Sequence, residues 1–215
     1  MSDNGGIDGE ITPDGNGTEN YPFLGGKACL TEGGIRVPLI FRWKGKIKEG
    51  KWVDTAVDCT DIFPTILEAA GYNAKQVVEK NKLDGESVIG LLNDIKNETK
   101  SYKKDTHYWH YPFNVIYKSP YDGYPLTPHS AIRKGDFKLI FDWYGRLHLY
   151  NIKKDPFEKE DLYTLQKEKG DALFKDLISW LEKNVDKRYW PKKNPDYNSK
   201  KEVREIPFID LVGKI

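Results

Sequence analysis

The chain has 215 residues, enough for one or two domains with a buried core, but 31% of them are charged and the mean hydropathy is −0.69, so the core is expected to be thin. Thirty-four basic against 33 acidic residues leave a formal net charge of +1, which argues against nucleic acid as a partner. The residues show no apolar run long enough to span a bilayer and no basic-then-apolar leader, so neither membrane insertion nor export is expected of the chain as written.

In chain order, the first feature is MSDNGG, an acid, an amide and two glycines that read as the end of a strand turning into a site, although no strand precedes them. The following stretch, IDGEITPDGNGTEN, holds Asp8, Glu10, Asp14 and Glu19 without the glycine position of an EF-hand loop, and reads as a solvated insertion. Next comes GGKACLTEGGIRVP at 25–38, in which two glycine pairs bracket Lys27 and Glu32. VPLIFRW at 37–43 is a near-continuous apolar and β-branched run, predicting a strand buried on both faces. Residues 58–72, DCTDIFPTILEAAGY, predict a helix capped by Asp61 and ended by Gly71, with Ile62, Phe63, Ile66, Leu67 and Ala70 on one helical face. LDGESVIGLLND predicts a turn and a short helix, and NDIKNETKSYKKDT an exposed linker, so the chain divides near residue 96.

Beyond it, THYWHYP, SAIRKGDFKLIFDW and RLHLYNI are strand-like, the last two forming an antiparallel hairpin around Tyr144 and Gly145. GDALFKDLISWLEKN at 170–184 places Leu173, Phe174, Leu177, Ile178 and Leu181 on one stripe, as a helix across a sheet requires. The tail from Tyr189 has no period and reads as an extended surface segment. The expected division is therefore 1–96, 97–190 and a tail at 191–215, the middle part a small α+β unit.

Three groups of residues have chemical potential. Asp3 and Asn4 offer hard oxygens of the kind that suit Ca²⁺, and the same Asp-Asn-Gly-Gly composition makes ordinary turns. Lys27, flanked by glycines, has the reach of a point charge for an oxyanion, against the alternative of a solvated side chain. HYWHYPF and YKSPYDGYP are rich in rings with polar tips, as sugar-binding surfaces are and as ordinary strand packing is. His107 and His110, three apart on a strand, point to opposite faces and make a poor metal pair. Cys29 and Cys59 are too few for a disulfide framework, lack zinc spacing and are expected to be small core residues.

The segments SDNGG, GGK with TEGGIRVPLIFRW, TDIFPTILEAAG, LDGESVIGLL, YWHYP, SAIRKGDFKLI, LYNIKKDPFEKEDLY and NPDY occur in an order that resembles the carboxy-terminal part of the sulfatase family of the alkaline-phosphatase-like superfamily, from about Ser2 to Tyr197. The resemblance implies an α/β fold, the C-terminal portion of the large sulfatase domain, followed by a small α+β subdomain of antiparallel sheet plus helix. It implies that Asp3 and Asn4 are two ligands of a divalent cation, usually calcium. Lys27 then matches the lysine that contacts the sulfate ester, and Arg36 an arginine of mainly structural role. Sulfatases acting on carbohydrates shape their pocket with the small domain, which makes His110 and His129 candidate sugar contacts.

The departure from the family pattern is as informative. Neither Cys29 nor Cys59 stands in the Cys/Ser-x-Pro/Ala-x-Arg motif from which the formylglycine nucleophile is made, and the family's amino-terminal Asp pair has no counterpart. The expectation is a fragment of a sulfuric ester hydrolase, inactive alone, with weak or absent calcium affinity, whose partners are a sulfated small molecule or glycan and the missing amino-terminal part of the domain. The alternatives are a non-catalytic carbohydrate-binding remnant, or part of a related phosphoester or phosphonate hydrolase. Bacterial relatives are commonly periplasmic or secreted.

Overall fold

The computed structural model describes residues 1–9, 14–93, 102–204 and 208–214. The chain forms two compact units, one of Met1–Leu39 with Tyr108–Ile215, the other of Ile40–His107. Among the described residues no helix is long and apolar enough to cross a membrane.

The first unit is built on a four-stranded sheet in the order β1-β4-β5-β6, from β1 (Thr106–Tyr111), β4 (His129–Lys134), β5 (Phe137–Asp142) and β6 (Arg146–Asn151). The last three are antiparallel neighbours in uninterrupted register, Lys134 opposite Phe137 and Asp142 opposite Arg146. SAIRKGDFKLIFDW is therefore two strands, because Gly135 adopts a left-handed φ of +57° and reverses the chain in the middle of what reads as one run. A two-stranded ladder, β2 (Val115–Lys118) with β3 (Pro125–Leu126), brackets the tyrosine-rich loop.

The two faces of this sheet are covered by different things, and the period of 2 decides which side chain meets which. Ile132, Leu139, Phe141 and Leu149 pack against helix α5 (Lys167–Asn184), whose Leu173, Phe174, Leu177, Ile178 and Leu181 are all buried, as their spacing predicts. Ala131, Ile140 and Tyr150 point the other way and pack against Leu30, in the loop that carries Lys27. The tail is not simply an extended surface segment: Trp190, Leu211 and Val212 pack on the α5 core, and the Ile209 N–H donates to the Tyr144 carbonyl at 3.0 Å. Trp190 meets Trp143 edge to face at 5.4 Å, so the rings at the β5–β6 reversal draw the tail over them.

Residues 1–39 thus group with the small sheet, a partition drawn at other points than the expected 1–96, 97–190 and 191–215. One link is a helix, α1 (Glu32–Ile35), short and almost wholly polar or glycine, whose buried Glu32 meets Lys138 of β5. Most of the expected linker, 94–101, lies outside the described residues.

In the second unit a 3₁₀ turn (Cys59–Asp61) leads into α2 (Ile62–Ala69), followed by α3 (Ala74–Asn81) and α4 (Ile89–Asn93). Asp58, not Asp61, is the cap. Its Oδ1 accepts the Thr60 N–H at 2.9 Å, while Asp61 Oδ2 reaches back to the Asp58 N–H at 2.9 Å. Asp61, 1% exposed, also accepts from Glu86 N and Tyr102 OH, each at 2.8 Å, and Asp58 takes Lys104 Nζ at 2.6 Å and His107 Nδ1 at 2.9 Å. Burial alone would raise the Asp58 carboxyl, but hydrogen bonds from His107, Lys104 and Thr60 outweigh it and hold the group well below the usual carboxylate range. A carboxyl lowered on folding stabilises above its unfolded value of about 4 and ceases to do so as pH falls through the folded value. Urea unfolding of this unit, followed by the Tyr102 and His107 resonances, is expected to lose stability steadily below about pH 4, and Asp58→Asn to remove that part of the slope.

Two expectations fail here. Residues 37–43 form no strand, and Ile40 is 85% exposed; a strand of this kind needs ladders on both sides, and the bond from the Ser2 N–H to the Pro38 carbonyl at 3.2 Å does not extend into one. The apolar stripe of α2 is largely open, Phe63 being 51% and Ile66 60% exposed, while Pro64 and Thr65 face inward. Cys59 is exposed, so only Cys29 is the buried core residue expected of both.

Candidate functional site

The glycines around Lys27 act by letting backbones touch. The Gly5 N–H donates to the Gly34 carbonyl at 2.9 Å, and the Lys27 N–H to the Gly6 carbonyl at 2.8 Å. A Cβ on Gly5 would lie 1.8 Å from the Gly33 oxygen, and one on Gly34 2.1 Å from the Cys29 oxygen, so neither position admits a side chain without moving backbone. Asn20 completes the junction, accepting from Gly6 N at 3.2 Å and donating to the carbonyls of Gly6 at 3.0 Å and Gly25 at 3.3 Å. The opening segment and the Lys27 loop, twenty residues apart in sequence, are therefore held side by side. Asp3 and Lys27 are exposed and Asn4 is half-buried at this junction.

What the junction can bind follows from its donors. Asp3 and Asn4 supply two hard oxygens, and calcium takes about six to eight. Among the described residues no three His, Cys, Asp or Glu side chains gather as a metal group. The residues present do not make a complete cation site. The Lys27 ammonium is open to an incoming anion. The nearby Cys29 is no nucleophile: burial pushes its thiol up to about 11, leaving it protonated at neutral pH.

Beneath the loop lies an ion triad whose one sequence sign is a lysine, Lys138, inside the apolar run FKLIFD. Lys138 on β5 is completely buried, and its Nζ lies 2.7 Å from Glu32 Oε1, 2.7 Å from Glu158 Oε1 and 3.1 Å from the Leu30 carbonyl. Glu158 Oε2 also accepts the Glu32 backbone N–H at 2.7 Å. Burial would raise the Glu32 carboxyl, yet the charge and hydrogen bond of Lys138 hold it below its ordinary value; at Glu158 burial prevails and the carboxyl is raised. Arg36 completes the Glu32 contacts at 3.4 Å and stacks over Phe23, the structural part expected of it.

The two candidate sugar contacts already have protein partners. His110 pairs with Ser130 Oγ at 2.8 Å and the Tyr189 carbonyl at 3.0 Å, and desolvation lowers its pKa. His129 is 4% exposed, with Nδ1 on the Thr127 carbonyl at 2.8 Å. The cavity that His129 lines with Cys29, Thr31 and Tyr121 has a volume of about 10 Å³, far too small for a sugar, whose sites run to roughly 300 Å³ or more.

A small sheet is braced by a helix on one face and by a glycine-rich lysine loop on the other, and comparison with known proteins identifies the family in which this arrangement falls. The family described as N-sulphoglucosamine sulphohydrolase, C-terminal, matches residues 24–187, and the chain belongs to that family. It is 31% identical over 179 residues to the steryl-sulfatase of Homo sapiens, covering 75% of this chain and 30% of that protein. A sulfatase of Formosa agariphila is 31% identical over 169 residues, covering 75% of this chain and 27% of that protein. The chain thus spans about a third of the length of the relatives it matches. Its fold is similar to that of Ps i-CgsB in complex with k-i-k-neocarrahexaose, with a TM-score of 0.65 and 26% identity, over 90% of this chain and 38% of that one. It is also similar to BT4656 in complex with its substrate D-glucosamine-2-N,6-O-disulfate, with a TM-score of 0.52 and 26% identity, over 87% of this chain and 33% of that one. The fold is that of the C-terminal part of a sulfatase.

Proposed function

We propose that this chain supplies the C-terminal third of an enzyme that hydrolyses a sulfate ester, on a carbohydrate or an aryl alcohol, and that Lys27 is its contact to the sulfate. The observation that carries the reading is the backbone junction that ties the exposed Lys27 to Gly6, a close chain neighbour of Asp3 and Asn4. A lysine ammonium is a compact point charge suited to an oxyanion that gains charge during displacement at sulfur. Asp3 and Asn4 add two oxygens toward calcium, whose chemistry when bound is to polarise the sulfate; the other ligands and the formylglycine nucleophile belong to sequence outside this chain. A sulfated sugar as substrate is supported by the ligands of the two structural relatives, and a sulfated sterol by the human one. Contact of His110 with a sugar remains part of the proposal, in competition with the protein partners that ring holds, whereas contact of His129 would also require its small cavity to open.

The exposed apolar side chains of the second unit fit the same reading. Ile40, Trp52, Phe63, Ile66 and Tyr72 are each more than half exposed, an unusual density for a surface that ends in water. We read them as the seat of the remainder of the α/β domain. In a protein extended to include that remainder, acrylamide quenching of Trp52 is expected to fall several-fold, and unchanged quenching would count against the docking.

The deciding experiment starts from the DNA upstream. An in-frame Cys/Ser-x-Pro/Ala-x-Arg motif is expected there, and the extended protein, made with formylglycine maturation, is expected to release sulfate where this chain alone does not. Lys27→Ala in it should cut kcat by about 100-fold, the scale of losing one oxyanion contact. Turnover that survives Lys27→Ala undiminished would remove the lysine from the reaction.

A further inference from the structure

We propose that Lys138, held between Glu32 and Glu158, is a positioning residue that holds Lys27 in place; its catalytic meaning rests on the function proposed above, but its structural claim does not. Burying one ammonium and two carboxylates is costly, and apolar side chains of like volume would fill the same space at least as stably. The triad does something they would not. Lys138 takes the Leu30 carbonyl and Glu158 takes the Glu32 N–H, so the backbone is gripped at two atoms on either side of Thr31. Five residues from Glu32, the Lys27 N–H is held by Gly6. The segment between is consequently fixed at both ends, in a conformation that includes a left-handed Ala28 at φ +75°. Side-chain alternation on β5 aims Lys138 at this loop rather than at α5, and the four other buried residues of that strand leave it no route to solvent.

Amide hydrogen exchange on the 215-residue chain tests the proposal without any assay of activity. Glu158→Ala removes the acceptor of the Glu32 N–H, and Glu158→Gln keeps a side-chain carbonyl there. Glu158→Ala is expected to accelerate exchange at the Lys27 and Gly5 amides by about tenfold or more, while β5, β6 and α5 change by less than about threefold. Glu158→Gln is expected to stay within about threefold of the parent at every site. Unaltered exchange at Lys27 in Glu158→Ala, equal acceleration in the two variants, or acceleration of all amides together would each overturn it, the last by showing a merely stabilising role. Should Glu158→Ala not fold, the neutral combination of Lys138→Met, Glu32→Gln and Glu158→Gln carries the test: selective acceleration at Lys27 and Gly5 supports the proposal, and its absence refutes it. Failure here leaves the sulfate reading intact, whereas loss of that reading, by undiminished turnover in Lys27→Ala, leaves the loop anchoring standing.

Discussion

Lys138→Met is expected to destabilise the first unit by about 3–5 kcal/mol, the range seen when one partner of a buried ion pair is removed. The side chain is completely buried, and its loss leaves Glu32 and Glu158, 2% and 0% exposed, with no cation between them. Methionine fills the volume, so the loss is electrostatic rather than steric. Against the roughly 5–15 kcal/mol of an ordinary domain, such a change moves the urea midpoint far enough to read by fluorescence or to prevent soluble expression at 25 °C. Adding Glu32→Gln and Glu158→Gln to Lys138→Met should recover much of the loss, because no buried charge then lacks a partner. A Lys138→Met unfolding free energy within about 1 kcal/mol of the parent would mean that water reaches the triad.

The second large effect is expected at Leu177. It is completely buried at the centre of the α5 stripe, packed in the cluster that contains Leu139, Phe141 and Leu149. Leu177→Ala should cost about 2–5 kcal/mol, transfer and cavity together, because strands on one side and the helix backbone on the other leave little freedom to collapse. Leu165, 74% exposed just before the same helix, is the control, with a change of about 0.5 kcal/mol or less on substitution by alanine. Equal effects at the two positions would mean that α5 does not pack on the sheet as described.

The two sites differ in how far the sequence announces them. Leu177 is legible because a period of 3.6 is a property of a short window, and the stripe at 173, 174, 177, 178 and 181 needs only a sheet to face. The triad is not, since three charged residues at 32, 138 and 158 look like any other members of a chain that is 31% charged. One local sign exists: Lys138 interrupts FKLIFD, a run of apolar residues, at a position buried by strand alternation. The α2 stripe shows the reverse, a periodic apolar face that the structure leaves open, because periodicity marks a face and does not say what covers it.

By itself, the sequence determined the helix α5, the hairpin around Tyr144 and Gly145 and, through the order of its short motifs, the family; it also offered Asp3, Asn4 and Lys27 as candidates. Those are properties of local spacing and of local chemistry. Only the tertiary structure decided that residues 1–39 belong to the small sheet, that VPLIFRW makes no strand and that Glu32, Lys138 and Glu158 meet. Each depends on which backbone atoms and charges find partners, and partners more than a hundred residues away leave no mark on the spacing around them.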